Sequence, residues 1–63
     1  MENIGKNIKL RRRQLGIYQD ELAQKVGCSQ AHISKIEHGQ DLSITLLIKI
    51  SEVLNCQIAD IFK

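Results

Sequence analysis

Ile4, Ile8 and Leu15 fall at helical spacing with Arg11 between them, so the segment from about 2 to 15 reads as an amphipathic helix ended by Gly16. Leu10 points roughly opposite Ile8 and leaves two readings open, a lone exposed leucine or a contact with a partner. After Ile17, the polar start Gln19-Asp20-Glu21 places acids at the positive end of a second helix, whose apolar stripe is Leu22, Ala23 and Val26 and whose stop is Gly27. Ser29 suits the N-cap of a third helix with Ile33 and Ile36 facing inward and Gly39 at its end. Ser43 is the best N-cap for a fourth, in which Leu46, Leu47, Ile50, Val53 and Leu54 recur at three- and four-residue intervals. A last short helix around Gln57 to Phe62 sets Ile58, Ile61 and Phe62 against the others and leaves Asp60 outside.

This pattern predicts an all-α fold in one unit spanning residues 1–63, with connections typical of compact helical domains and no low-complexity linker. With 63 residues, 43% apolar and only 3% aromatic, the core must be built from Ile, Leu, Val and Ala. No apolar run reaches the roughly 18 residues of a membrane span, and the N-terminus lacks a signal-peptide stretch, so a cytoplasmic location is expected. Cys28 and Cys56 form no CxxC pair, and His32 and His38 complete no zinc-ligand pattern; reduced thiols, no metal and no cofactor are expected. The net charge of +2 is small, but Lys6, Lys9, Arg11, Arg12 and Arg13 crowd one segment, which suits contact with a polyanion. An enzyme is not expected. The chain shows no acid pair in a plausible cleft, no nucleophile with a supporting base and no phosphate-binding glycine loop.

Two short helices joined by a tight glycine turn pack at a wide angle only when both inner faces are apolar. The stretch from Gln19 to Glu37 meets that condition: Ala23 lets the helices approach, Gly27 bends the backbone, Cys28 tucks beneath, and Ile33 and Ile36 close the far side. Gln30, Ala31, Ser34 and Lys35 are then left on the outside of the third helix. Such side chains suit base edges, because glutamine presents a donor and an acceptor to adenine, lysine donates to guanine, and an alanine methyl meets a thymine methyl.

The run YQDELAQKVGCSQAHISKIEHG resembles the helix-turn-helix of the Cro/C1-type (XRE-like) repressor family. IGKNIKLRRRQLGIYQ resembles that family's first helix and LSITLLIKISEVLNCQIADIF its fourth and fifth, so the likeness covers nearly the whole chain. It implies a compact five-helix, lambda-repressor-like DNA-binding domain in which Gln19 contacts a phosphate and braces the recognition helix. It also implies that Gln30, Ala31 and Lys35 reach bases, with Ser34 and His32 near the backbone or groove walls; for His32, a phosphate contact and no contact are equally open. Other phosphate candidates are Ser29, Arg11, Gln40 and the start of helix four near Ser43. The family pairs an arginine of helix one with the glutamate ending the recognition helix, which here are Arg12 and Glu37; the competing reading has both solvated.

The departures from the family pattern matter. Tyr18 replaces the usual Thr or Ser N-cap, removing a side-chain cap often worth about 1 kcal/mol; a phosphate contact by its phenol is the alternative role. Arg11 stands where many relatives are apolar, and Gln40-Asp41 replace a commonly more basic turn. The resemblance makes the expected partner double-stranded DNA, bound by a homodimer that acts as a repressor. Leu54, Ile58, Ile61 and Phe62 are the candidate dimer surface, with a role in the chain's own core as the rival reading. The rival function is an antitoxin-like or other protein-interaction module.

Overall fold

The computed structural model describes residues 3–62, in which the chain forms α1 (Asn3–Gln14), α2 (Gln19–Val26), α3 (Gln30–Glu37), α4 (Ile44–Val53) and α5 (Ile58–Ile61). The start near residue 2 expected for the first helix lies outside the described residues. No strand occurs among the described residues, and no helix there is long and apolar enough to cross a membrane.

Backbone geometry sets the helix ends. At the close of α1, α2, α3 and α4 an amide reaches back five residues: Ile17 to Arg12 (3.1 Å), Cys28 to Ala23 (2.9 Å), Gln40 to Lys35 (2.8 Å) and Cys56 to Ser51 (3.0 Å). Such a bond requires a left-handed residue just before it. In the turn between α2 and α3 that residue is Gly27, at φ 89°; after α4 it is Asn55, at φ 54°, the side-chain type that tolerates this conformation best. The amphipathic pattern therefore stops where the sequence supplies Gly or Asn.

The core is wholly aliphatic. Ile4, Ile8, Leu22, Ala23, Val26, Ile33, Ile36, Leu47, Ile50, Leu54 and Ile61 are buried together, with Ile17, Cys28, Leu42, Leu46, Val53, Cys56 and Ile58 packed against them. Leu15, expected in the buried stripe of α1, is instead 44% exposed. The chain reverses at Gly16 and folds Ile17 onto the core in its place, which leaves Leu15 on the rim. Leu54 and Ile61, offered as dimer-surface residues, are likewise spent inside the single chain, at 0% and 2% exposure. Leu54 continues the spacing of Leu47 and Ile50, and Ile61 is buried from α5, so of the four only Ile58, half-buried, and Phe62, exposed, remain open.

Gly5 was not singled out by the pattern, yet it fixes how α1 meets α3. A Cβ there would lie 2.3 Å from the carbonyl oxygen of Glu37 and 2.7 Å from that of Ile36. The two backbones touch where any side chain would separate them. Replacing a glycine within a helix by alanine ordinarily gains up to about 1 kcal/mol. Here Gly5→Ala is expected to lose about 1 to 3 kcal/mol, because the methyl must push α1 off α3. Urea unfolding measures the difference, and a variant as stable as the parent would show that the contact yields freely.

Candidate nucleic-acid interface

α3 is presented by the two elements it packs on. Ile33 and Ile36 are fully buried, anchoring one side of the helix against α2 and α1, while Gln30, Ala31 and Lys35 are exposed on the other. Ser34 and His32 are half-buried at the edges of this face. The Ser29 side chain accepts the His32 amide at 3.1 Å, so the first turn of α3 is capped and its leading residues are held in order. At the other end, the His38 ring lies 2.7 Å from the Ser34 carbonyl, satisfying an acceptor of the last turn.

The position of α3 is locked by a buried ion pair. Arg12 Nε donates to Glu37 Oε2 at 2.7 Å and its terminal nitrogen to Oε1 at 3.3 Å, while its remaining nitrogen donates to the Ile17 carbonyl at 2.8 Å. Gln19 Nε2 adds a bond to Glu37 Oε1 at 2.9 Å. One carboxylate at the end of α3 is thus gripped by α1 and by the first residue of α2. The glutamine that opens the helix-turn-helix acts as a brace.

At the start of α2, Tyr18 supplies no side-chain cap. The work passes to the acids: Glu21 accepts the Tyr18 amide at 3.1 Å, and Asp20 accepts the Glu21 amide at 2.9 Å. Tyr18 itself is 74% exposed beside Gln19. Gln40 and Ser43 are exposed in the segment between α3 and α4; Ser43 precedes α4 in an extended conformation but makes no side-chain cap bond.

Arg11 does not join these groups. Its side chain donates to the carbonyls of Leu54 at 3.2 Å and Asn55 at 3.3 Å, placing a positive charge on the negative end of the α4 dipole. Arg11 is among the expected phosphate anchors, and these bonds hold its side chain at the end of α4. Position 11 lies on the side of α1 that meets the α4–α5 turn, a location its charge alone does not reveal.

Both cysteines are free thiols. Burial pushes the Cys28 thiol up from its ordinary value; for Cys56 burial raises it, Arg11 opposes and Asp60 adds to the rise. Among the described residues no group of three or more His, Cys, Asp or Glu side chains converges as metal ligands would.

A family model described as helix-turn-helix matches residues 8–61. The chain belongs to the Cro/C1-type helix-turn-helix family. Among solved structures, this helix-turn-helix fold matches the N-terminal DNA-binding domain of SinR from Bacillus subtilis with a TM-score of 0.91. The two are 34% identical, and the match covers 100% of this chain and 94% of that one.

Two measurements follow from the ion pair and the thiols. Arg12→Ala strands the Glu37 carboxylate and should cost roughly 3 to 5 kcal/mol, whereas Gln19→Ala, which leaves the pair intact, should cost about 1 kcal/mol. Thermal melts rank the two, and an unchanged Arg12→Ala would reject a structural role for the pair. Iodoacetamide at mildly alkaline pH should alkylate Cys28 and Cys56 more slowly than free cysteine, since raised thiol pKa values lower the thiolate fraction.

Proposed function

We propose that this protein is a sequence-specific DNA-binding transcription regulator that seats α3 in the major groove. The observation that carries the reading is the division of one short helix: Ile33 and Ile36 at 0% exposure on one side, and bare Gln30, Ala31 and Lys35 on the other. A solvated polar face needs no such support. This one is held by a capped start at Ser29 and by a clamped carboxylate at Glu37, the rigidity that base readout demands. The likeness to a domain described as DNA-binding supports the same reading.

In this account Gln30 and Lys35 read bases, Ala31 touches a thymine methyl, and Ser34 lines the groove wall. The backbone is held by Gln19, whose second amide hydrogen is left for a phosphate, by Ser29, His32, Gln40 and Ser43, and by Tyr18 beside them. At the start of α4, where Ser43 makes no side-chain cap bond, the backbone amides and the helix dipole favour an anion. One such unit covers few base pairs, so operator binding is by a homodimer on half-sites about one helical turn apart. With Leu54 and Ile61 inside the core, Ile58 and Phe62 are what the α5 end offers a second copy. Covering a promoter in this way represses it.

Selection of bound duplexes from a random pool defines the operator, and repeating it with variants tests the roles. Lys35→Ala should relax preference at one position by about 1 to 3 kcal/mol, and Gln30→Ala at a neighbouring one. An equal loss on every sequence would demote Lys35 to a phosphate anchor, and no enrichment at all would reject the DNA-binding reading. Light scattering on a palindromic duplex should show two chains; one chain bound at high concentration would refute the dimer.

A further inference from the structure

At 100° per residue, Ile4, Gly5, Ile8 and Arg12 form the buried side of α1, and Lys6, Leu10 and Arg13 fall on the opposite side with Lys9 at the edge. Leu10 is 58% exposed in the middle of these cations. Together the four side chains line a shallow recess of about 310 Å³. Leu10 is also the wall between this recess and a larger groove of about 560 Å³, which runs past Gln14 and Gln57 toward Glu52 and Asp60. Among the described residues, Lys6, Lys9 and Arg13 form no ion pair with an acid.

We propose that this outer face of α1 docks an acidic segment of another protein, one that carries a leucine-sized apolar side chain among its carboxylates. Charge complementarity selects an anionic partner, because three cations lie within one stretch of two helical turns. Leu10 selects a protein over a nucleic acid. A phosphate backbone presents no apolar side chain to cover it, whereas a peptide does. A peptide with spaced Glu or Asp residues meets Lys6, Lys9 and Arg13 while its apolar side chain covers Leu10. The face lies across α1 from the stripe that packs on the rest of the molecule, so its occupation leaves the exposed residues of α3 bare.

Titration of isotope-labelled protein with a short synthetic peptide of alternating glutamate pairs and leucines, followed by amide chemical shifts, tests this. Shifts should gather on Lys6 to Gln14 and on Gln57, and a matched peptide with serine for leucine should bind at least about fivefold more weakly, the worth of one apolar contact. Leu10→Ser should reproduce that loss, and Lys6→Glu with Arg13→Glu should cost at least about tenfold. All three side chains are exposed, so the variants keep the core. An excess of duplex DNA should leave the peptide bound. Equal binding of the serine peptide, shifts confined to Gln30–Lys35, displacement by DNA, or no shifts at all would each overturn the proposal.

Discussion

Glu37 closes α3 with a carboxylate almost wholly out of water, at the end of a helix whose dipole already disfavours negative charge. Alone, that group would be among the most costly in the molecule. Arg12 makes it tolerable by meeting both carboxylate oxygens, and Gln19 meets one of them from α2. Because burying an ion pair costs several kcal/mol per charge before the attraction returns it, this cluster adds little net stability. Its contribution is position. α1, α2 and α3 share one charge that each must satisfy, so the angle at which α3 stands is set by directional bonds as well as by oily contact.

Gly5 supplies the complementary constraint. Isoleucines at positions 4, 8, 33 and 36 press α1 and α3 together without specifying a depth, since aliphatic side chains repack readily. The missing side chain at Gly5 lets the backbones meet, which sets the depth and brings Arg12 within reach of Glu37. Close packing and the buried charge are in this sense one device.

Most of the fold was legible because it rests on local rules. Glycine at helix ends, serine ahead of α3, and the spacing of Leu47, Ile50 and Leu54 each carry their meaning within a few residues. What escaped depends on which side of a helix meets which neighbour. Periodicity put Leu15 in the buried stripe, but whether the last turn is covered depends on how the chain leaves it, and Ile17 took the place. Arg11 and Arg12 are adjacent and alike in sequence. One turns to the end of α4 and the other to the end of α3, and charge could not separate them; only the family resemblance pointed to Arg12. The same ambiguity made Leu54 and Ile61 look available to a second chain when both were needed within the first. At the candidate interface, the exposed side of α3 followed from the inward spacing of Ile33 and Ile36, whereas the brace from Gln19 to Glu37 spans 18 residues and was legible only through the family resemblance.

The placement of the aromatic residues has an optical consequence. The chain contains one tyrosine, one phenylalanine and no tryptophan, and the tyrosine and phenylalanine both stand on the surface. Loss of the interior therefore passes almost unseen by ultraviolet emission, since no ring is embedded in it. Tyr18 projects into solvent beside the residue that braces α3. Its fluorescence is a built-in gauge of whatever settles against the start of α2, and a poor one of whether the molecule is folded.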